Sequence, residues 1–325
     1  MPEIEDPTTT LVRLLDKNVR VVKEDGSLAS VHVSPEWYDR ELLKDYDGQV
    51  TVGLDRSEDQ KLGFSATSRR RFGNSRINIW VIDKPGSLVG RDLRNKLREE
   101  VNRVIREKRM KPNETNYNFL GVGQPTETHK AYQAGSASEL APGDAEWTEL
   151  TDVECEKLWY SEDNRFSHST SVNLNYALLL FRFKVDPDEK VVKKIVLKFE
   201  GYGTALAGNG VTIKVWNFAS SAWQNAQAGT GGEDEPITIA LTSFLTDFID
   251  EEGYVYLLAR TTNASNGATP AVIYCDYSEC GVTVEGITYV DVISYRDEDE
   301  VRVKPFLWRT EFLVKTWLFE NVTVM

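Results

Sequence analysis

The sequence predicts an α+β chain, a small helix-on-sheet domain interrupted by an inserted all-β sandwich of jelly-roll type. Three observations carry this. Residues Arg76 to Arg109 read as a strand, a tight turn and a long amphipathic helix. From about Trp147 the texture becomes all-β, with strand-like runs separated by Asp, Gly and Asn clusters. The chain then closes on Val303 to Val324, the strongest strand signal of all, and a lone strand of that length must pair with something.

In chain order, Asp6 before Pro7 marks a helix start, with Asp6 as N-cap and Pro7 at the first helical position. Leu11, Leu14 and Leu15 form its apolar stripe. Val19 to Val22 and Leu28 to Val33 are short extended pieces around Asp25-Gly26, a pair that favours a tight hairpin turn. The polar segment Ser34 to Asp47 offers Trp37, Tyr38, Leu42 and Leu43 as anchors. Gln49 to Leu54 and Arg76 to Ile82 are the best strands of this half, separated by a long charged excursion. In the second of them Ile77, Ile79 and Val81 alternate with Arg76, Asn78 and Trp80, as a half-buried strand requires.

Asp83, Pro85 and Gly86 break that pattern, and Leu93, Leu97, Val101, Val104 and Ile105 then fall on one stripe of a helix that covers a sheet on one side. Its other face is crowded with Arg and Lys. Residues 110–150 lose periodicity around Pro112, Pro125 and Pro142, leaving one short strand at Asn118 to Val122 in an extended linker. Strand-like runs follow at Tyr176 to Val185, Val191 to Phe199, Val211 to Phe218, Ile237 to Leu241, Tyr254 to Arg260 and Ala271 to Val284. Leu241 to Asp250 is a short helix or turn.

After the acidic turn Arg296 to Glu300, Trp308, Thr310, Phe312, Val314 and Thr316 share one face of the closing strand. The first domain has a small sheet that needs this strand, so the sandwich is inserted between the helix and the closing strand. The expected division is 1–120 plus 287–325 for the first domain, 121–146 for the linker and 147–286 for the insert.

The net charge of -13 is unevenly spread. Residues 1–120 carry 22 Lys+Arg against 20 Asp+Glu, and residues 121–325 carry 16 against 31. An acidic second half disfavours a nucleic-acid interface there, because such partners need basic surface to replace their counterions. No run approaches the ~20 apolar residues of a spanning helix, and the acidic start is unlike a signal peptide, so no membrane is expected. Three cysteines, Cys155, Cys275 and Cys280, make no disulfide framework, which suits a reducing cytoplasm.

Catalytic chemistry has little to stand on, and the expectation is a non-enzyme with no cofactor and no metal. His32, His129 and His168 lie in different segments without ligand spacing. Cys275 and Cys280, with Asp276 and Glu279 nearby, would need two more ligands for zinc and read better as buried thiols. Asp186 with Asp188, and Glu233 to Glu235, offer calcium ligands but read better as solvated turns.

Arg69, Arg70 and Arg71 sit in a row on the charged excursion, where they suit a phosphate contact, an inter-subunit contact or plain solvation. Trp216 and Trp223, with Tyr202, Phe218 and Tyr256, could line a sugar platform, against core packing as the alternative, and Trp223 in an expected loop is the best candidate for exposure.

The order of TTTLVRLL, VTVGLD, the polar hairpin, RINIWVIDKP, GRDLRNKLREEVNRVIREKR and RTEFLVKTWLF resembles tail-terminator or tail-completion proteins from the neck of tailed viruses of bacteria and archaea. The resemblance covers about residues 1–120 and 287–325 and rests on element order. It implies a virion protein, made in the host cytoplasm, that forms a homo-oligomeric ring, usually a hexamer. Its partners would be the tail tube protein, the head-tail connector and DNA passing through the lumen, with Arg69 to Arg71 at the channel or between subunits. The segments FRFKV, KIVLKFEGYG and IKVWNF resemble galactose-binding-like sandwiches, used as carbohydrate-binding or decorating modules. That likeness implies glycans as partners of the insert, at Trp223, Trp216 and Tyr202. The alternative to the ring is therefore a carbohydrate-binding surface or adhesion module, and a hydrolase is a third class.

Overall fold

The computed structural model describes residues 2–23, 25–35, 37–61, 68–84, 90–120, 129–162, 164–302 and 304–321. Its helices are α1 (Pro7–Asn18), α2 (Leu42–Asp45), α3 (Gly90–Glu107) and α4 (Asp152–Cys155). The first eight strands are β1 (Val31–Ser34), β2 (Gly48–Lys61), β3 (Ser68–Ile82), β4 (Glu114–Asn118), β5 (Lys130–Ser136), β6 (Thr148–Glu149), β7 (Phe166–Thr170) and β8 (Tyr176–Lys184). The rest are β9 (Val192–Thr204), β10 (Val211–Asn217), β11 (Ala222–Ala228), β12 (Glu235–Leu241), β13 (Tyr254–Thr261), β14 (Ala271–Val284), β15 (Ile287–Glu300) and β16 (Leu307–Asn321).

This is a mainly β chain, 49% strand and 16% helix, which corrects the expected helix-on-sheet α+β class. The reason lies in strand length. The charged excursion after Leu54 continues the strands, since β2 and β3 stay paired from Gln49/Trp80 out to Lys61/Arg69. The acidic stretch at 296–300, expected as a turn, belongs to β15 and pairs with β16 as far as Glu300/Leu307. Strands whose two faces both meet water show no apolar alternation, so their sequence looks like loop. The Pro85-Gly86 turn, residues 121–128 of the expected linker and the end of the last strand beyond Asn321 lie outside the described residues.

Two compact units form, Glu3–Thr115 with Glu285–Met325, and Met1–Pro2 with Asn116–Val284. In the first, a five-stranded sheet runs β1-β2-β3-β16-β15. α1 and α3 supply Leu11, Leu14, Leu15, Leu97, Val101, Val104 and Ile105 to a core shared with Val50, Val52, Ile77, Ile79, Phe312 and Val314. Each such side chain stabilises the unit by roughly 1.5–3 kcal/mol when fully buried.

Both helix starts are fixed by a carboxylate. Asp6 accepts from the amides of Thr8 at 2.8 Å and Thr9 at 3.2 Å. Asp83 accepts from the Gly90 amide and from Trp308 Nε1, both at 2.8 Å. A Cβ at Gly90 would lie 2.7 Å from the Trp308 ring, so this close approach requires glycine.

The basic face of α3 and the acid run of β15 are partners. Arg94, 2% exposed, reaches Asp297 at 3.1 Å and Asp299 at 2.9 Å, and Arg98 reaches Asp297 at 2.8 Å. Asp297 and Asp299 of the acidic run are therefore charge complements to the helix.

The second unit packs two sheets face to face, β11-β10-β13-β8-β5-β6 and β12-β9-β14-β4, with β7 also paired to β14. Phe181, Phe183, Leu197, Phe199, Ile213, Val215, Leu257, Ile273 and Val282 are among the buried residues of its core. Alternation puts every second residue of the six-stranded sheet on the opposite, outer side. Among the described residues, no helix is long and apolar enough to cross a membrane.

Candidate functional site

The outer side of the six-stranded sheet is two surfaces in one. At one end, Leu140 and the half-buried Trp147, Tyr176 and Trp223 pack on Ala134, Leu178 and Leu258. Trp223 Nε1 donates to the Leu140 carbonyl at 2.8 Å, and Glu139 pairs with Lys214 at 2.7 Å and Arg260 at 3.0 Å. That end is covered and neutralised by the chain's own loop.

Beyond it, Tyr132 of β5, Arg182 and Lys184 of β8, Tyr254 and Tyr256 of β13, Trp216 of β10 and the adjoining Phe218 are all half-buried. Register brings them together, because Arg182 lies opposite both Tyr256 and Lys130. The Arg182 guanidinium sits 4.7 Å from the Tyr254 ring centre, and Lys184 Nζ sits 5.0 Å from it. Tyr254 and Tyr256 are 6.4 Å apart between ring centres, and Phe218 and Tyr256 are 5.9 Å apart. The Arg182 Nε is buried without a hydrogen-bond partner.

Burial raises the Tyr256 and Tyr132 phenols above their ordinary pKa, so both stay neutral hydrogen-bonding groups at physiological pH. The result is a row of rings with two cations and two phenols along its side. Ring faces are electron-rich and attract the weakly positive C–H face of a sugar or a cation, while hydroxyls and guanidinium groups fix orientation.

The residues expected from the sequence are dispersed. Trp216 stands beside this row, and its ring meets Trp223 edge-on at 5.0 Å. Trp223 lies in β11 and anchors the covering loop, so the expectation of an exposed loop residue is corrected. Tyr202 belongs to the other sheet, where it stacks on Tyr274 at 4.5 Å with the Arg165 guanidinium 5.8 Å away. Arg69, Arg70 and Arg71 are strand residues of β3, in register with Glu320, Phe319 and Leu318. The Arg69 side chain lies outside the described residues. Arg70 sits 4.1 Å from the Trp317 ring and 4.3 Å from Phe72.

The other candidates have structural partners. Asp234 pairs with Arg165 at 2.5 Å, Glu235 accepts from the Gly231 amide at 2.7 Å, and Asp188 accepts from the Lys190 amide at 2.9 Å. All three thiols are buried. Burial pushes Cys155 up to about 12 and raises Cys275 and Cys280 well above the usual thiol range. Among the described residues, no group of three or more His, Cys, Asp and Glu is placed to hold a metal ion.

Tyr132, Arg182, Lys184 and Tyr254 escaped the sequence reading. Their signal is the alternation in FRFK and YVY, which puts Arg182 with Lys184 and Tyr254 with Tyr256 on one side of each strand.

A family model described as "Uncharacterized protein, C-terminal domain" matches residues 126–284, inside the sandwich unit. No curated protein matches the chain. Among solved structures, 52% of the chain is similar to the enzymatically active domain of bacteriophage CBA120 tailspike protein 4, with 7% identity and a TM-score of 0.24. This chain covers 19% of that one, under a fifth of its length.

A structure titled for carbohydrate-binding modules from the β-sandwich superfamily aligns with 70% of this chain and 84% of its own, at 10% identity and a TM-score of 0.20. Broad bean stain virus aligns over 65% and 89%, at 9% identity and a TM-score of 0.16. At such scores the three likenesses carry neither fold nor function. The class defined by the chain's own geometry is a two-sheet sandwich with an aromatic and cationic outer face.

Proposed function

We propose that the protein is a non-enzymatic glycan-binding protein whose sandwich recognises carbohydrate through the outer face of the six-stranded sheet. The observation that carries this reading is the half-buried row Phe218, Tyr256, Tyr254 and Arg182, next to an end of the same face that the chain's own loop covers. A sheet face left to water would ordinarily be polar, and half-exposed rings in a row favour a ligand that is itself ring-shaped and amphipathic. The test is affinity electrophoresis of the full-length protein through gels containing individual polysaccharides. Retardation by at least one glycan, relieved in Tyr254→Ala, supports the reading, and free migration through every gel overturns it.

A second reading, a ring subunit of the tail-terminator class in a virion neck, has separate support from strand edges. β1 covers β2 only from Gly48 to Thr51, and β15 has β16 alone as a strand neighbour among the described residues. Such edges favour strand addition between copies, with main-chain bonds supplying affinity. A hexameric ring meeting tail tube and connector would place Arg70 and Arg71 at a subunit contact or beside exiting DNA. Native mass and negative-stain images, with and without purified tail tubes, test it. Closed rings support assembly, and a monomer that ignores tubes removes it. Replacing Arg69, Arg70 and Arg71 by Glu without loss of assembly or infectivity would remove the arginine role alone.

A further inference from the structure

We infer that the ligand of this face is an acidic glycan whose carboxylate is held by Arg182 and Lys184. The inference rests on the glycan reading above and specifies it. Both cations lie on one strand, two residues apart, so they share a face at a spacing of roughly 6–7 Å. Both sit over the single ring of Tyr254, at 4.7 Å and 5.0 Å.

Neither has a carboxylate within 4 Å among the described residues, in contrast to five other cations of this unit. Lys130 pairs with Glu149, Lys198 with Glu200, Lys214 and Arg260 with Glu139, and Arg165 with Asp234. Acids are not scarce either, since residues 116–284 carry 23 of them against 11 bases. In so acidic a surrounding, two neighbouring cations held by a ring, with no counter-charge among the described residues, form a local positive site. A ring holds a cation in place without satisfying its hydrogen bonds.

The Arg182 guanidinium lies over the Tyr254 ring, its Nε is buried without a hydrogen-bond partner, and among the described residues no carboxylate takes its N–H donors. A guanidinium matches a carboxylate by parallel N–H donors, and Lys184 adds a point charge beside it. The neighbouring rings of Tyr256 and Phe218 then take the apolar face of the sugar. An acidic peptide would satisfy the cations but leave the ring row idle. A nucleic acid would meet repulsion from the unit's excess of carboxylates.

The experiment uses the full-length protein and pairs of polysaccharides that differ only in the carboxylate. Polygalacturonate and hyaluronan are each compared with their methyl esters, and neutral galactan and dextran are included. Binding to at least one acid form is expected to exceed that to its ester by about ten-fold at low salt, the worth of one charge-assisted bond, and to shrink as salt is raised. The double substitution Arg182→Gln with Lys184→Gln should bring the acid form down to its ester. The charge-conserving pair Arg182→Lys with Lys184→Arg should keep the preference, which separates loss of charge from loss of fold.

Equal binding of acid and ester, or a preference that survives the Gln pair, overturns the inference and leaves glycan binding standing. Binding to neutral glycans alone does the same. Failure to bind any polysaccharide removes the glycan reading and this inference together, and tighter binding of a single-stranded oligonucleotide through the same two residues replaces the ligand class.

Discussion

Two sheet faces of this protein, one in each unit, carry arginines and aromatic rings and treat them differently. On the five-stranded sheet the face away from the helices is an ionic lattice. Arg76 reaches Asp55 at 2.7 Å and Glu311 at 3.4 Å, while Arg309 reaches Glu298 at 2.6 Å and Glu311 at 2.8 Å. Arg296 joins through Glu298 and Glu311, both at 3.0 Å. Even where Arg309 lies 4.7 Å from the Trp80 ring, it also bonds Asn78.

On the six-stranded sheet Arg182 and Lys184 have the ring and, among the described residues, no acid within 4 Å. A face whose charges close on each other pins strand register and asks for nothing more. A face whose charges stay open is the one the glycan proposal uses. Within the five-stranded sheet the character changes along the strands, for Arg70 and Lys315 sit over Phe72 and Trp317, which keeps that end available for the assembly reading.

The comparison can be broken at four places. The largest effect is expected beneath the faces. Phe181→Ala, at a fully buried position under the six-stranded sheet, should destabilise by about 3–5 kcal/mol and remove glycan binding with the fold of its unit. Phe312→Ala, equally buried under the other sheet, should lose a similar amount in chemical unfolding yet leave glycan retention intact below its transition. Loss of retention there would break the assignment of binding to the sandwich.

Next comes Tyr254→Ala, which should weaken glycan binding about ten-fold or more as the loss of an aromatic anchor, with little change in melting temperature. Glu311→Gln should do the reverse, lowering stability by about 1 kcal/mol or less and leaving glycan affinity unchanged. Variants that swapped these outcomes would erase the distinction between the closed and open faces.

The smallest effect concerns the thiols. Because burial raises all three folded pKa values, Cys155 to about 12, native protein at pH 8 should resist iodoacetamide and take up three labels only when unfolded. The sign for stability follows. This contribution is complete below the unfolded thiol value of about 8.5 and is lost as pH rises toward the folded value. Rapid native labelling, read by mass, would contradict the buried placement.

What the sequence made legible was burial. Ile77, Ile79 and Val81, and the stripe of α3, announce one apolar side each, and the structure buries Ile77, Ile79, Val81, Leu97, Val101, Val104 and Ile105. The outer halves of β2 and β3 were hidden because their pairing partners lie far away in sequence, as Phe72 and Trp317 do. β11 was hidden because AWQNAQA, an edge strand, has no buried residue. Trp223 looked like an exposed loop residue for the same reason.

At the candidate site, periodicity itself misled. β8 reads as LLLFRF because the covering loop packs on Leu178 on the outer side, where Leu180 is buried too, while the core buries Leu179 and Phe181 on the inner. Only the register that sets Arg182 beside Tyr256 shows that two half-exposed positions 74 apart in number belong to one surface.

The most direct measurement is hydroxyl-radical footprinting of the full-length protein, with and without a polysaccharide that retards it. Protection confined to Tyr132, Tyr254, Tyr256 and Phe218 is the predicted result. Protection at Tyr202 and Tyr274, or at Phe72 and Trp317, with the six-stranded face left reactive, would contradict it.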